Sequence, residues 1–198
     1  MYYFKGVKRV LSGLLALMGL ASAGPLQEKA RVSCDIQFDL AVKILAFDRK
    51  LSARVGDELV FGIIYQGDYP ASLQVKTEME RAIAAAPFKK VGAIPIRTAA
   101  VDLSRAARWE QELKDNGIDV VYLAPLREQA KALERILLVC RELKLTTIAS
   151  LPDYPSRGAA IGFEPAGAKP VIIINLSAAR IEGADFSSRL LGMAKVIR

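Results

Sequence analysis

The sequence predicts an α/β fold, a three-layer α/β/α sandwich with a mostly parallel sheet of about six strands and a C-terminal antiparallel hairpin. Three observations carry this. Short apolar, β-branched runs recur along the chain with amphipathic helical stretches between them, the alternation that builds a parallel sheet covered on both faces. The last two runs are separated only by residues 165–170, rich in Pro, Gly and Ala. That spacer is too short for a crossover helix, so the pair runs antiparallel. No repeat or linker divides the chain, and 198 residues suit one domain with a real core.

Residues 1–23 read as a secretory signal peptide. Lys5, Lys8 and Arg9 form a basic start, an apolar run extends over 10–20, and Ala21-Ser22-Ala23 is a small-residue cleavage site. The apolar run is too short to span a bilayer, which takes about 20 residues. Residues 24–198 are then the mature domain, and a periplasmic location follows. Loss of the three basic side chains lowers the net charge from +7 to +4. The remaining Lys and Arg are scattered, without the basic stripe of a nucleic-acid footprint, so no nucleic-acid partner is expected.

Along the mature chain, Ile36, Leu40, Ile44, Phe47 and Leu51 recur at helical spacing, predicting one helix over 35–52. Residues 59–66 form a buried strand. Val75, Met79, Ala82 and Ala86 mark a helix closed by Pro87. Residues 91–98 are a second strand, which Pro95 places at an edge or bend. Ser104 is a candidate cap for the helix carrying Trp109 and Leu113, which ends at Asn116-Gly117. A strand at 119–124, a helix at about 127–144 and a strand at 146–150 follow. Residues 151–158 are a Pro-rich loop, 159–164 and 171–174 are the hairpin, and Phe186, Leu190, Met193 and Ile197 predict a last amphipathic helix.

Composition excludes several chemistries. With no histidine there is no Ser-His-Asp or Cys-His site and no His-ligated zinc. Two cysteines cannot build a Cys-rich metal site. There is no glycine-rich phosphate loop, and no carboxylate pair has a spacing that marks acid–base work. No enzyme, cofactor or metal is expected. Val55-Gly56-Asp57-Glu58-Leu59 resembles a fragment of the G-G-D-E-F signature but reads as a turn between helix and strand. Cys34 and Cys140 could form a disulfide in an oxidising compartment or remain two thiols; sequence supplies no distance to decide.

The C-terminal third carries an ordered pattern. Ala160-Ile161-Gly162-Phe163 is followed by Ile174-Asn175-Leu176, Ala178-Ala179-Arg180, Gly183, Ser187-Ser188, Leu190-Leu191 and Ala194. It resembles the YfiR family (YfiR/HmsC-like) of bacterial periplasmic proteins, whose signature is an I-G-F strand, an I-N-L-x-x-A-[KR] turn and an S-S-x-L-L helix. The leader and the strand Val60-Phe61-Gly62-Ile63-Ile64 agree. The chain departs from the family's F-x-x-F-V-x-W-P ending of the first helix, having Ile44-Leu45-Ala46-Phe47-Asp48-Arg49, and lacks additional cysteines. The resemblance implies a non-enzymatic regulator that contacts the periplasmic sensor domain of an inner-membrane diguanylate cyclase, lowers cyclic-di-GMP and affects biofilm formation. A periplasmic small-molecule binding or sensing module is the alternative, and a homodimer stays open.

Gly162, Phe163, Asn175, Gly183 and Ser187 are expected to be structural, Asn175 as a helix N-cap. Ligands in such sheets sit beyond the carboxyl ends of the strands. The candidate partner- or ligand-binding residues are therefore Tyr69, Asp153, Tyr154 and Arg157, on loops that combine aromatic area and charge, with Arg180 on the signature turn.

Overall fold

The computed structural model describes residues 31–198 apart from 106, 107, 128 and 168; the signal-peptide reading lies outside the described residues. The α/β expectation holds, with eight strands rather than about six. They are β1 (Leu59–Tyr65), β2 (Lys90–Val91), β3 (Ile94–Asp102), β4 (Val120–Leu123), β5 (Thr146–Ala149), β6 (Ile161–Glu164), β7 (Val171–Asn175) and β8 (Lys195–Ile197). The helices are α1 (Cys34–Leu45), α2 (Leu51–Arg54), α3 (Pro70–Ala85), α4 (Trp109–Asp115), α5 (Gln129–Leu143), α6 (Leu176–Ile181) and α7 (Ser188–Leu191), with a 3-10 turn at Pro155–Arg157.

The sheet order is β2-β3-β1-β4-β5-β6-β7-β8. Strands β3, β1, β4, β5 and β6 run parallel; β7 pairs antiparallel with β6, as the short spacer requires, and β8 lies parallel to β7. The chain leaves β1 through α3 to β3 on one side and returns through α4 to β4 on the other. The carboxyl ends of β1 and β4 therefore flank the point where strand order reverses.

Side-chain alternation sorts the core. Leu59, Phe61 and Ile63 of β1, with Tyr122, Ile148, Ile161 and Phe163, face α1, α3, α6 and α7. Val60 and Ile64, with Val121, Leu123 and Ala149, face α4, α5 and the 3-10 turn. This is the period-two pattern of strands buried on both sides. Each large side chain so buried contributes about 1.5–3 kcal/mol. Helix α5 buries Leu133, Ile136, Leu137 and Cys140.

Several elements differ from expectation. The first helix stops at Leu45 instead of running to 52, because Asp48 accepts from Lys50 N at 3.0 Å and forms a β-bridge with Phe186; Leu51 still reaches the core from α2. The run 91–98 is two strands folded at Gly92 (φ +58°), a left-handed turn that a Cβ disfavours. Pro95 lies opposite Lys90 of the edge strand, as its missing N–H demands. Ser104 caps no helix: its hydroxyl donates to Asp102 at 2.6 Å, and α4 begins at Trp109 behind Arg108. The predicted final helix is one turn, α7, followed by β8. Met193 is 59% exposed, so the apolar stripe breaks after Leu190, and β-branched Val196 and Ile197 continue the sheet instead.

Of the two alternatives open for the cysteines, the structure has two thiols. Cys34 and Cys140 are both free and buried, Cys34 in the core under α1 and Cys140 in the core on the other face of the sheet. The sheet stands between the thiols, so no bridge forms.

Candidate functional site

The carboxyl ends of β1 and β4 are filled by the chain itself. Arg127 N donates to Gln66 Oε1 at 2.7 Å, Arg127 Nη2 donates to the Asp68 carbonyl oxygen, and its Nη1 lies 3.4 Å from the Asp68 carboxylate. The same guanidinium lies over the half-buried Tyr69 ring, 5.6 Å from its centroid, a cation–π contact. Gln66 N donates to Ser72 Oγ and Gly67 N to Asp102 Oδ1. Burial opposes ionisation of Asp102, but the bonds from Ser104 and Gly67 outweigh it and hold the carboxyl below the usual range.

Tyr154 is not a surface anchor. It is fully buried, and its hydroxyl accepts from Leu126 N at 3.0 Å; burial pushes its ionisation well up. A hydrophobic turn, Leu151 to Pro155, carries the ring inward. Asp153 and Arg157 are half-buried beside it, 4.0 Å apart, and Arg157 lies over the Tyr154 ring. Arg180 is exposed on α6, which follows the carboxyl end of β7. Because β7 opposes the parallel strands, that end lies across the sheet from Tyr69. Tyr69 and Arg180 therefore form no common site.

The signature residues cap, pack and turn the C-terminal segment. Asn175 Oδ1 accepts from Ala178 N at 3.0 Å, capping α6, while its amide donates to Pro155 O at 2.9 Å. Ser187 Oγ accepts from Leu190 N and caps α7. A Cβ on Gly162 would sit 2.3 Å from Pro155 Cγ, so only glycine lets the 3-10 turn pack there. Phe163 is buried, and Gly183 (φ +93°) turns the chain out of α6. Beyond it, Asp48 gathers the segment: its carboxylate, fully buried, accepts from Asp185 N at 2.9 Å and Arg54 Nη2 at 2.5 Å. Arg49 N donates to Asp185 O, and Ser187 N to Phe47 O.

Polar groups that sequence reading passed over lie inside the first core. Tyr122 Oη donates to Gln37 Oε1 at 3.0 Å, and Gln37 Nε2 donates to Val32 O at 2.6 Å. Cys34 Sγ lies 3.8 Å from Tyr122 Oη and 3.4 Å from Arg31 Nη1, and Arg31 pairs with Glu78. Burial pushes the Cys34 thiol up, which makes it a poor nucleophile. The signal was available: Gln37 occupies a core position of a helix whose neighbours Phe38, Ala41, Ile44 and Leu45 are buried. Glu182 falls likewise four residues after buried Ala178.

On the outer surface, a groove of about 340 Å³ runs between α1 and the end of α3. Phe38, Val42, Ala82, Ala86 and Phe88 line it beside Asp35 and Asp39. Phe88 is 69% exposed, the most exposed of the large apolar side chains among the described residues. Among the described residues no group of His, Cys, Asp and Glu could hold a metal ion, and no helix is long and apolar enough to cross a membrane.

Solved structures share the fold. A conserved domain protein from Vibrio cholerae matches with TM-score 0.58 and 15% identity, covering 85% of this chain and 62% of that one. The ligand-free, open structure of a Clostridium difficile substrate binding protein with adhesive properties matches with TM-score 0.60 and 14% identity, covering 86% and 61%. An ABC domain in complex with L-Trp from Streptococcus pneumonia gives TM-score 0.52 and 15% identity, covering 79% and 59%. The chain thus spans under two thirds of each. Comparison with curated proteins gave no match. A family model described as YfiR/HmsC-like matches residues 63–195, most of the sheet and all of the clasped C-terminal segment, and the chain belongs to that family.

Proposed function

We propose that the protein is a non-enzymatic regulator in the periplasm that acts by protein contact on the outward-facing sensor domain of an inner-membrane diguanylate cyclase, lowering cyclic-di-GMP and limiting biofilm formation. The observation that supports this is the YfiR/HmsC-like match over residues 63–195. The physical requirement is differential affinity: the protein must bind the inactive sensor better than the active one, since equal affinity shifts nothing. Exposed Arg127 with Tyr69, and Asp153 with Arg157, supply the charged and aromatic rim for that contact. Binding of a small molecule at the strand ends is less favoured, because Gln66, Asp68, Tyr69 and Arg127 already satisfy one another there.

Deleting the gene and measuring cyclic-di-GMP and biofilm tests the reading. Both should rise and return to normal on complementation. Unchanged levels in several media, or recovery of an unprocessed chain from the cytosol, would remove the proposal.

A further inference from the structure

Helices α1 and α3 lie side by side on one face of the sheet. At one end they touch: Cys34 Sγ lies 3.8 Å from Val75 O and 3.8 Å from Glu78 Oε2. Further along they part, and the groove of about 340 Å³ opens between them, with Phe38 beneath it and Phe88 at its lip. The α3 wall is built of Ala82, Ala85 and Ala86, side chains too short to fill the hollow and short enough for another chain to approach closely. Phe88 is 69% exposed. An exposed aromatic ring beside an apolar hollow with charges around it has the composition of an interface centre and its rim.

The charges along the groove are sorted by end. Asp35 and Asp39 stand on the first half of α1, and Lys43 on its last turn. Lys89 follows Phe88 and continues the β2 edge, its carbonyl accepting from Ile96 N at 2.8 Å. Strand alternation places its side chain on the side of buried Val91, the side that α1 covers. Lys89 is exposed and makes no ion pair among the described residues. Asp39 and Lys43 pair at 2.6 Å, but their side chains are 59% and 64% exposed, so the pair is weak and free to exchange partners. Arg81 lines the neighbouring hollow beside Asp35, not this groove. One end of the groove is therefore acidic and the other basic. A two-fold axis through its middle turns the acidic end of one copy onto the basic end of another. That is the condition for an isologous contact, in which each patch meets its own image. A partner carrying one sign of charge would meet repulsion at one of the two ends.

We propose that a second copy of this chain covers the groove in a two-fold dimer, with Phe88 of each copy seated in the other's groove and Lys89 of each facing the other's Asp39. Tyr69 stands just ahead of α3, whose 16 residues span about 24 Å. The dimer therefore leaves the Tyr69–Arg127 rim open, and it forms whether or not the chain regulates a cyclase. It hides Phe88, so a protein seated in the groove competes with pairing and one seated on the rim does not.

Sedimentation equilibrium of the mature chain at low salt tests the proposal. The wild type should dimerise in the micromolar range. Phe88→Ser should raise the dissociation constant at least about 30-fold without lowering the melting temperature of the monomer, since the ring is exposed. Asp39→Lys makes both ends of the groove basic, and Lys89→Glu makes both acidic. Each variant alone should dimerise about 5- to 30-fold more weakly than the wild type. Mixed in equal amounts they should recover wild-type affinity to within about threefold, because each then meets the opposite sign at both ends. A wild type still monomeric at about 300 µM overturns the proposal. So does a dimer that Phe88→Ser weakens less than about threefold, or a mixture no tighter than its separate components.

Discussion

Replacing Asp48 should undo the clasp between the first helix and the C-terminal signature. Its buried carboxylate accepts from Lys50 N, Asp185 N and Arg54 Nη2. Asp48→Ala removes all three acceptors and leaves Arg54, whose side chain is only 18% exposed, without its carboxylate. Breaking a buried pair from one side costs about 3–5 kcal/mol. Arg54 keeps Lys144 O at 3.1 Å and Thr146 Oγ1 at 3.2 Å, which places the loss near the low end, about 3 kcal/mol. Asp48→Asn retains an acceptor for the two backbone N–H groups and gives up only the charged bond, for about 1.5–3 kcal/mol. In a domain of this size the Ala variant should melt about 6–12 °C lower.

Urea denaturation of Asp48→Ala, Arg54→Met and the double variant closes the cycle. A coupling of about 1–3 kcal/mol is expected. Exchange of the Asp185 and Ser187 amides should accelerate in both single variants, since Asp185 N is bonded to Asp48 and Ser187 N to Phe47 O beside it. A loss under about 1 kcal/mol for the Ala variant, or additive single effects, would show that the clasp rests on the Asp48–Phe186 bridge and its apolar packing alone.

Asn175→Ala should cost about 2 kcal/mol, one cap plus one buried bond to Pro155 O, read as a lowered urea midpoint with an unchanged slope. Tyr154→Phe leaves Leu126 N buried without its partner and should cost about 1–3 kcal/mol; a neutral outcome would mean that water reaches that amide. Both thiols should resist alkylation in the folded protein and react fully in denaturant without reductant, followed by intact mass. The absence of any reactive thiol in denaturant would restore the disulfide that the two separate cores exclude. Gly162→Ala should lose about 1–3 kcal/mol through its clash with Pro155, and Pro155→Ala should recover part of it.

The fold class was legible because apolar runs and helical stripes are local patterns. Residues 59–64, 120–123 and 146–149 lie buried on both faces, so β-branched runs announce them without alternation. Elements fixed by distant contacts were not legible. Phe47 and Leu51 continue the first helical stripe, yet the chain breaks there because Asp48 must meet Phe186 and Asp185, over 130 positions away. The final helix fails in the same way, since Lys195 to Ile197 add to β7. Among site residues, Asn175 was readable as a cap because capping acts over three residues. Tyr154 was misjudged because loop position and aromatic character do not reveal which way a ring turns. Its hydroxyl partner, Leu126 N, lies on a segment that reaches it only once β4 and β5 are paired.

The residues that place this chain in its family are mostly not the ones that would choose a partner. Gly162, Phe163, Asn175, Gly183 and Ser187 pack, cap and turn the clasped segment, and substituting them should act on stability before recognition. Groups able to tell one sensor from another must be exposed or half-exposed and able to exchange their partners, such as Arg127 over Tyr69, or Phe88 on its groove. Arg127→Ala separates the two roles. Its exposed contacts with Asp68 contribute at most about 1 kcal/mol to folding, so the melting temperature should barely move, whereas a contact anchor lost from an interface costs about 2 kcal/mol or more of binding. If the proposed repression of a cyclase survived Arg127→Ala unchanged, the contact would move away from the strand ends and leave the α1–α3 groove as the next surface to probe.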